Sequence, residues 1–284
     1  MKPTPRPGRR SRAAFTLVEA MISMVVTVSV LGMALSNFVM MTRTMYKDNQ
    51  RLATNASLRS FMAQISKETL DASFFYLFLD YTKLDGSVDL DTDPVTLDQP
   101  EDYTDDEYDR WIGHGDCLVL VTKTSVYRST DIRQIRIYYR REKNQTECNA
   151  DAPLRYYETA DWGEGTSDDS NGHPLTGLES ELDAINISAA TSGASYDSSG
   201  INYNPSAGDL SGSSLLALRT RGREVPAPYT PYAAGDRYPI FSSESPSANP
   251  TNGFISINTE FINGTSVTNM LSSSSFNYTI SPRR

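Results

Sequence analysis

The chain reads as an α+β protein: one long N-terminal helix laid on an antiparallel β-sheet of several strands. Three features carry that expectation. An apolar run extends from Ala13 to Met41, an amphipathic segment follows it from Thr42 to about Leu70, and β-rich stretches separated by turn signals then dominate to the C-terminus. With 284 residues and 38% hydrophobic content, there is material for one anchor helix and one outer domain of ordinary size.

The apolar run, A-A-F-T-L-V-E-A-M-I-S-M-V-V-T-V-S-V-L-G-M-A-L-S-N-F-V-M-M, exceeds the roughly 20 helical residues that a bilayer requires. A basic leader with Lys2, Arg6, Arg9, Arg10 and Arg12 precedes it. One acid, Glu19, sits near its start. A carboxylate drawn into hydrocarbon costs roughly 2.5–3.5 kcal/mol even on lenient insertion scales, so Glu19 calls for a partner. An ordinary secretory signal fits poorly, because its apolar core is about 7–15 residues long with the small-residue cleavage site behind it. Here the run is longer and the small pair Ala13-Ala14 stands in front.

The order of basic leader, Ala14, Phe15-Thr16-Leu17-Val18-Glu19 and apolar helix resembles the class III leader of type IV pilins and type II secretion pseudopilins. The resemblance implies that a membrane prepilin peptidase cuts between Ala14 and Phe15 and methylates the new amino terminus. It also implies that Glu19 is the assembly residue, pairing with an N-terminal amine as the helix passes from bilayer to filament. A buried carboxylate and a buried ammonium are each costly alone and offset one another when close, so the pair would set register between subunits. Two departures from the family pattern stand out. Ala14 replaces the usual Gly, and Ser36 occupies the place where major pilins carry a helix-bending proline. No proline occurs from Phe15 through Asp93, which leaves Gly32 and Ser36-Asn37 as the soft points of the helix. The missing proline fits a minor subunit better than a major one.

Charge agrees with an exported head. Of 26 basic side chains, removing the leader's five leaves 21 against 35 acidic ones. A basic leader before an acidic remainder follows the positive-inside rule, with residues 1–14 in the cytoplasm and the C-terminus outside the inner membrane. The acidic balance disfavours nonspecific nucleic-acid binding by the whole head.

The expected organisation is a leader over 1–14, a spanning helix over 15–41, its amphipathic continuation over 42–72 and a β-rich head over 73–284. In the continuation, Leu58, Phe61, Met62 and Ile65 form the stripe of a helix lying on a sheet, with Arg59, Gln64, Lys67 and Glu68 between them. Ser73 to Tyr81 is strand or last helical turn; periodicity does not separate the two. From Asp85 to Asp109 eleven acids occur without a base. Asp89, Asp91 and Asp93 there invite a calcium reading, since alternating carboxylates suit a hard cation. The EF-hand spacing fails, because Pro94 and Pro100 fall at its sixth and twelfth positions. A solvated acidic loop without a cofactor is the expectation, with calcium as the alternative.

Asp116 to Val126 and Ile132 to Arg141 read as an antiparallel hairpin, with Ile135, Ile137 and Tyr139 on one face and Arg136, Tyr138 and Arg140 on the other. A half-buried sheet is expected, its Arg/Tyr face solvated or paired with the acidic loop. A third strand is expected at Leu154 to Thr159. Cys117 and Cys148 form a candidate disulfide closing a segment of about 30 residues, worth on the order of 3 kcal/mol if made; separate thiols remain the alternative. From Trp162 to Pro250 the chain is rich in Gly, Ser, Asn, Asp and Pro and reads as a loop-rich insert, with islands at Leu175 to Ile187 and Leu215 to Leu218. Gly253 to Ile262 and Ser275 to Ile280 read as the last two strands.

Three functions follow from these features. The first is a filament subunit, working with prepilin peptidase, other pilin or pseudopilin subunits and an inner-membrane assembly platform. Its size and insert resemble J-type pseudopilins and W-type minor pilins. The second is a pilin-like adhesin or DNA receptor acting through residues 162–250 or the Arg136/Arg140 face. The third, an anchored enzyme, has little support: there are two histidines, His114 and His173, no Gly-x-Ser-x-Gly and no phosphate loop. A Cys117–His114 pair is the one nucleophilic arrangement to consider, and no third orienting group is suggested by the sequence.

Overall fold

The computed structural model describes residues 16–84, 86–95, 111–124, 131–140, 152–162, 173–185, 210–222, 239–245, 253–264 and 270–282. The chain divides into two units, Met1–Asn49 and Gln50–Arg284. Helix α1, Leu17–Asp71, runs from the first into the second. In the first unit every described residue is exposed, and the helix is long and apolar enough to cross a membrane. The helix passes Gly32 and Ser36-Asn37 without interruption.

In the second unit the same helix changes role. Leu58, Phe61, Ile65 and Thr69 are buried at three- and four-residue spacing, and Phe61 stacks edge-on against Tyr138 with centroids 6.0 Å apart. Burying such a side chain contributes about 1.5–3 kcal/mol. The helix ends where the chain joins the sheet: Ala72 N donates to Glu68 O, and Ser73 N donates to Val121 O.

Nine strands follow among the described residues: β1 (Phe74–Phe78), β2 (Trp111–Gly115), β3 (Cys117–Lys123), β4 (Ile132–Arg140), β5 (Ala152–Glu158), β6 (Ser214–Gly222), β7 (Phe241–Ser245), β8 (Phe254–Gly264) and β9 (Met270–Ile280). They form one sheet in the order β1-β3-β4-β5-β6-β8-β7-β2, with β9 beside β8. Every pairing is antiparallel. The Ser73 to Tyr81 ambiguity resolves as strand β1, because Phe75 and Leu77 find the α1 side of the sheet while Phe74 and Tyr76 find the other. The expected hairpin is β3–β4, in register from Cys117↔Tyr139.

Two differences from the sequence reading have physical causes. Residues 162–250, expected as a loop-rich insert with islands at Leu175 to Ile187 and Leu215 to Leu218, place helix α2 (Leu178–Asp183) and β6 on those islands and add β7, which the reading did not have. Strand β6 lies between β5 and β8, so this segment builds the sheet itself. Its strand signal was diluted by neighbouring Ser, Gly and Pro. The sheet is also not half-buried at β3 and β4. One core lies between sheet and α1, with Leu118, Leu120 and Tyr138. A second lies on the opposite face, where Val119, Val121, Ile135, Ile137 and Tyr139 pack with Leu84, Leu178 and Leu182.

The Arg136/Tyr138/Arg140 face is therefore an interior one, and its polar groups are matched there. Tyr138 Oη donates to Glu68 Oε2 at 2.6 Å. Tyr156 Oη lies 3.1 Å from Glu68 Oε1 and 2.7 Å from Glu158 Oε2, sharing one proton between two carboxylates. Burial first, and then the neighbouring carboxylates, push both phenols well above the ordinary tyrosine range, so they stay donors at physiological pH. Arg136 Nη1 reaches Asp71 Oδ2 at 3.2 Å and Thr122 Oγ1 at 3.3 Å. Arg140 Nη2 meets Asp116 Oδ2 at 2.9 Å with both side chains 2% exposed. Asp116 Oδ1 in turn accepts from Ile240 N at 3.0 Å, tying β4 to the entry of β7.

The two arginine pairs should differ sharply in weight. Asp116→Ala removes the carboxylate that faces a buried guanidinium and is expected to destabilise the head by about 3–5 kcal/mol. Asp71→Ala removes a partner that is 53% exposed, for about 1 kcal/mol or less. Urea unfolding of the two variants in detergent, followed by circular dichroism, checks the ranking.

Candidate functional site

The candidate site is the start of α1 and the apolar surface behind it. Glu19 is the third residue of the helix, and Thr16 stands immediately before it. The two close a reciprocal capping box: Thr16 N donates to Glu19 Oε2 at 3.0 Å, Thr16 Oγ1 donates to the same oxygen at 3.1 Å, and Glu19 N donates to Thr16 Oγ1 at 3.3 Å. The carboxylate also sits at the positive end of the helix dipole. Sequence reasoning assigned Glu19 an intermolecular partner. The structure adds a local one, legible in T-x-x-E but passed over. Ala14 and Phe15, the expected processing pair, lie outside the described residues.

Behind Glu19, Leu17, Val18, Met21, Ile22, Met24 and Val25 are each more than half exposed, and large apolar side chains stay exposed on to Met45. No part of the described chain covers them. Several hydroxyls within this surface are satisfied on the helix itself: Ser23, Thr27, Ser29 and Thr42 donate to the carbonyls of Ala20, Ser23, Val25 and Phe38. Their presence therefore adds little polar cost in an apolar medium. An uninterrupted exposed apolar surface of this length suffices for a helix to cross a membrane.

The other sequence candidates take different places. Asp89, Asp91 and Asp93 form a turn closed on itself. Asp89 N donates to Asp93 Oδ2, Asp91 N donates to Asp89 Oδ1, and Lys83 Nζ bridges to Asp93 Oδ1 at 3.1 Å. The Asp89 and Lys83 contacts hold the Asp93 carboxyl below the usual range. Among the described residues no group of three or more His, Cys, Asp or Glu is placed to hold a metal ion. Cys117 is fully buried at the start of β3, and Cys148 lies outside the described residues. Burial, and then Asp80, push the Cys117 thiol well up, the wrong direction for a nucleophile. Arg136 and Arg140, the cations of the supposed nucleic-acid face, are engaged by Asp71 and Asp116.

Sequence reasoning missed Glu68 as a helix-to-sheet anchor. The signal was present: Glu68 follows Phe61 and Ile65 at i+7 and i+3, on the buried face of α1 rather than the wet one. His114 in β2 is a further, half-buried group. Desolvation lowers its pKa below the ordinary value of 6.5, so the unfolded chain takes up the proton more readily than the fold does. Stability is thus full above that ordinary value and declines as pH falls below it. His114→Gln is expected to flatten the loss of thermal stability between about pH 6.5 and 5, read from melting curves across that range.

Residues 9–35 match the family described as a prokaryotic N-terminal methylation motif. Neither a curated protein nor a solved structure gives a significant match to the chain.

Proposed function

We propose that this protein is a prepilin: a structural subunit, processed before Phe15, that leaves the inner membrane to join a type IV pilus or a type II secretion pseudopilus. The observation that carries the proposal is the methylation-motif match over residues 9–35, which runs into a helix whose apolar side chains stay exposed as far as Asn49. Glu19 occupies the acid position of that motif, and its capping box stabilises the charge in the free subunit. Residues 1–14 are the leader, 15–41 the spanning and assembly segment, and the head lies outside the cytoplasm. Its size, and the absence of proline in α1, favour a large minor subunit of the J-type or W-type kind. Prepilin peptidase, neighbouring subunits and an inner-membrane assembly platform are its partners, and the reading needs no cofactor and no catalytic residue. The adhesin or DNA-receptor reading loses its Arg136/Arg140 face to internal pairing.

Mass spectrometry of the mature N-terminus, from cells expressing their own prepilin peptidase, is expected to find N-methyl-Phe15. Retention of Met1, or a cut behind the apolar run, would sink the proposal. Glu19→Val should leave membrane insertion intact and reduce incorporation into filaments by about tenfold or more, as loss of an interaction worth at least roughly 1.4 kcal/mol requires. Normal incorporation of the variant would remove the charge pair from the account.

A further inference from the structure

The exit end of the apolar run carries a second cluster. Arg43, Tyr46 and Lys47 follow Met41 at i, i+3 and i+4 spacing, and so share one face of α1. All three are exposed, Tyr46 by 60%. Neither cation has an ion-pair partner among the described residues. Asp48, the nearest acid, points to another side of the helix, about 140° from Arg43 at 100° per residue. At about 1.5 Å per residue, Arg43, Tyr46 and Lys47 lie about 3, 7.5 and 9 Å beyond Met41. The polar layer of one leaflet is about 5–8 Å deep, and a lysine stem bends back several ångströms. An arginine fork matches phosphate oxygens, and a tyrosine ring settles at the headgroup level with its hydroxyl in water.

We infer that Arg43, Tyr46 and Lys47 clamp α1 to phospholipid headgroups on its exit side, and that this clamp sets the depth of Glu19. The inference rests on the membrane-anchored reading proposed above. The second part is a matter of length. From Glu19 to Met41 the helix rises about 33 Å, against a hydrocarbon thickness of about 30 Å. A helix held at Arg43 therefore keeps Glu19 at the opposite edge of the hydrocarbon, where its capped carboxylate meets water and headgroups. Sliding toward the exit side would draw that carboxylate into the core and lift the clamp off its phosphates, so both ends resist displacement in that direction.

The test uses the full chain in vesicles of phosphatidylcholine with a minority of phosphatidylglycerol, compared with an Arg43→Gln/Lys47→Gln variant. The readout is the ratio of motionally restricted spin-labelled phosphatidylglycerol to phosphatidylcholine. Restricted phosphatidylglycerol held by the leader's cations is common to both chains and is subtracted from each before the ratio is taken. The ratio is expected to fall by about fivefold or more in the variant, since each cation near an anionic surface is worth roughly 1 kcal/mol. An inserted variant with an unchanged ratio overturns the clamp and leaves the membrane reading standing. An unchanged ratio with loss of crosslinks between copies assigns the two cations to a second subunit and also overturns it. A wild-type chain that alkaline carbonate washes off the vesicles overturns the membrane reading and the clamp together.

Discussion

The carboxylate of Glu68 is the point on which the head's geometry turns. Apolar burial is non-directional, so the stripe of Leu58, Phe61 and Ile65 would by itself tolerate a helix that slid or rotated on the sheet. Hydrogen bonds to Tyr138 and Tyr156 remove that freedom, because they form at one position and leave buried polar atoms stranded at any other. Gln64, one turn earlier on α1, donates to the same carboxylate and holds it in place. Asp71 and Arg136 make a second, more exposed link at the end of the helix. Between them these contacts fix where α1 stops and where β1 begins.

Around this anchor the sheet is built in depth. Strands β3 and β4 are covered on both faces, by α1 on one side and by α2 with the short 3₁₀ turn Tyr81–Leu84 on the other. Helix α2 is too short to be stable alone. It is held by the burial of Leu178 and Leu182, and by Glu179 and Asp183, which accept from the backbone of Leu90 and Val88. His173 adds a third tie, stacking on Trp162 at 3.7 Å and meeting Glu181 at 2.6 Å. The acidic segment after β1 thus has a structural use: part of it supplies the backbone donors that α2's carboxylates require.

Helix α1 passes between two solvents along its length. Up to Asn49 none of its described residues is buried, and hydroxyls such as those of Thr27 and Ser29 turn inward onto its own carbonyls. After that, the same backbone carries a narrow stripe for a protein core. Such a helix is long and apolar enough to cross a membrane, and the proposed filament would offer it a second apolar environment. The capping box at its start and the cations beyond Met41 place polar groups where that environment ends.

Much of this was legible in the residues. The anchor run, the amphipathic stripe, the β3–β4 hairpin and the strands near the C-terminus each bear a local period, and local periods survive folding because neighbours in sequence remain neighbours on one element. F-T-L-V-E marked the site for the same reason, since its chemistry lies within one helical turn. Strands β2 and β7 were not legible, and of β6 only the Leu215 to Leu218 island stood out. They are short or set among turn-forming residues, and only pairing with distant strands makes them strands. The wet-looking face of β4 was likewise misread. Whether an arginine or a glutamate is buried depends on what stands opposite it, and Asp116 across from Arg140, or Glu68 above Tyr138, is a meeting made by the tertiary structure. Sequence alone determined that one long helix with an apolar first half precedes a sheet. The tertiary structure decided which polar side chains the sheet would enclose, because the cost of burying a charge is set by its partner and not by its own identity.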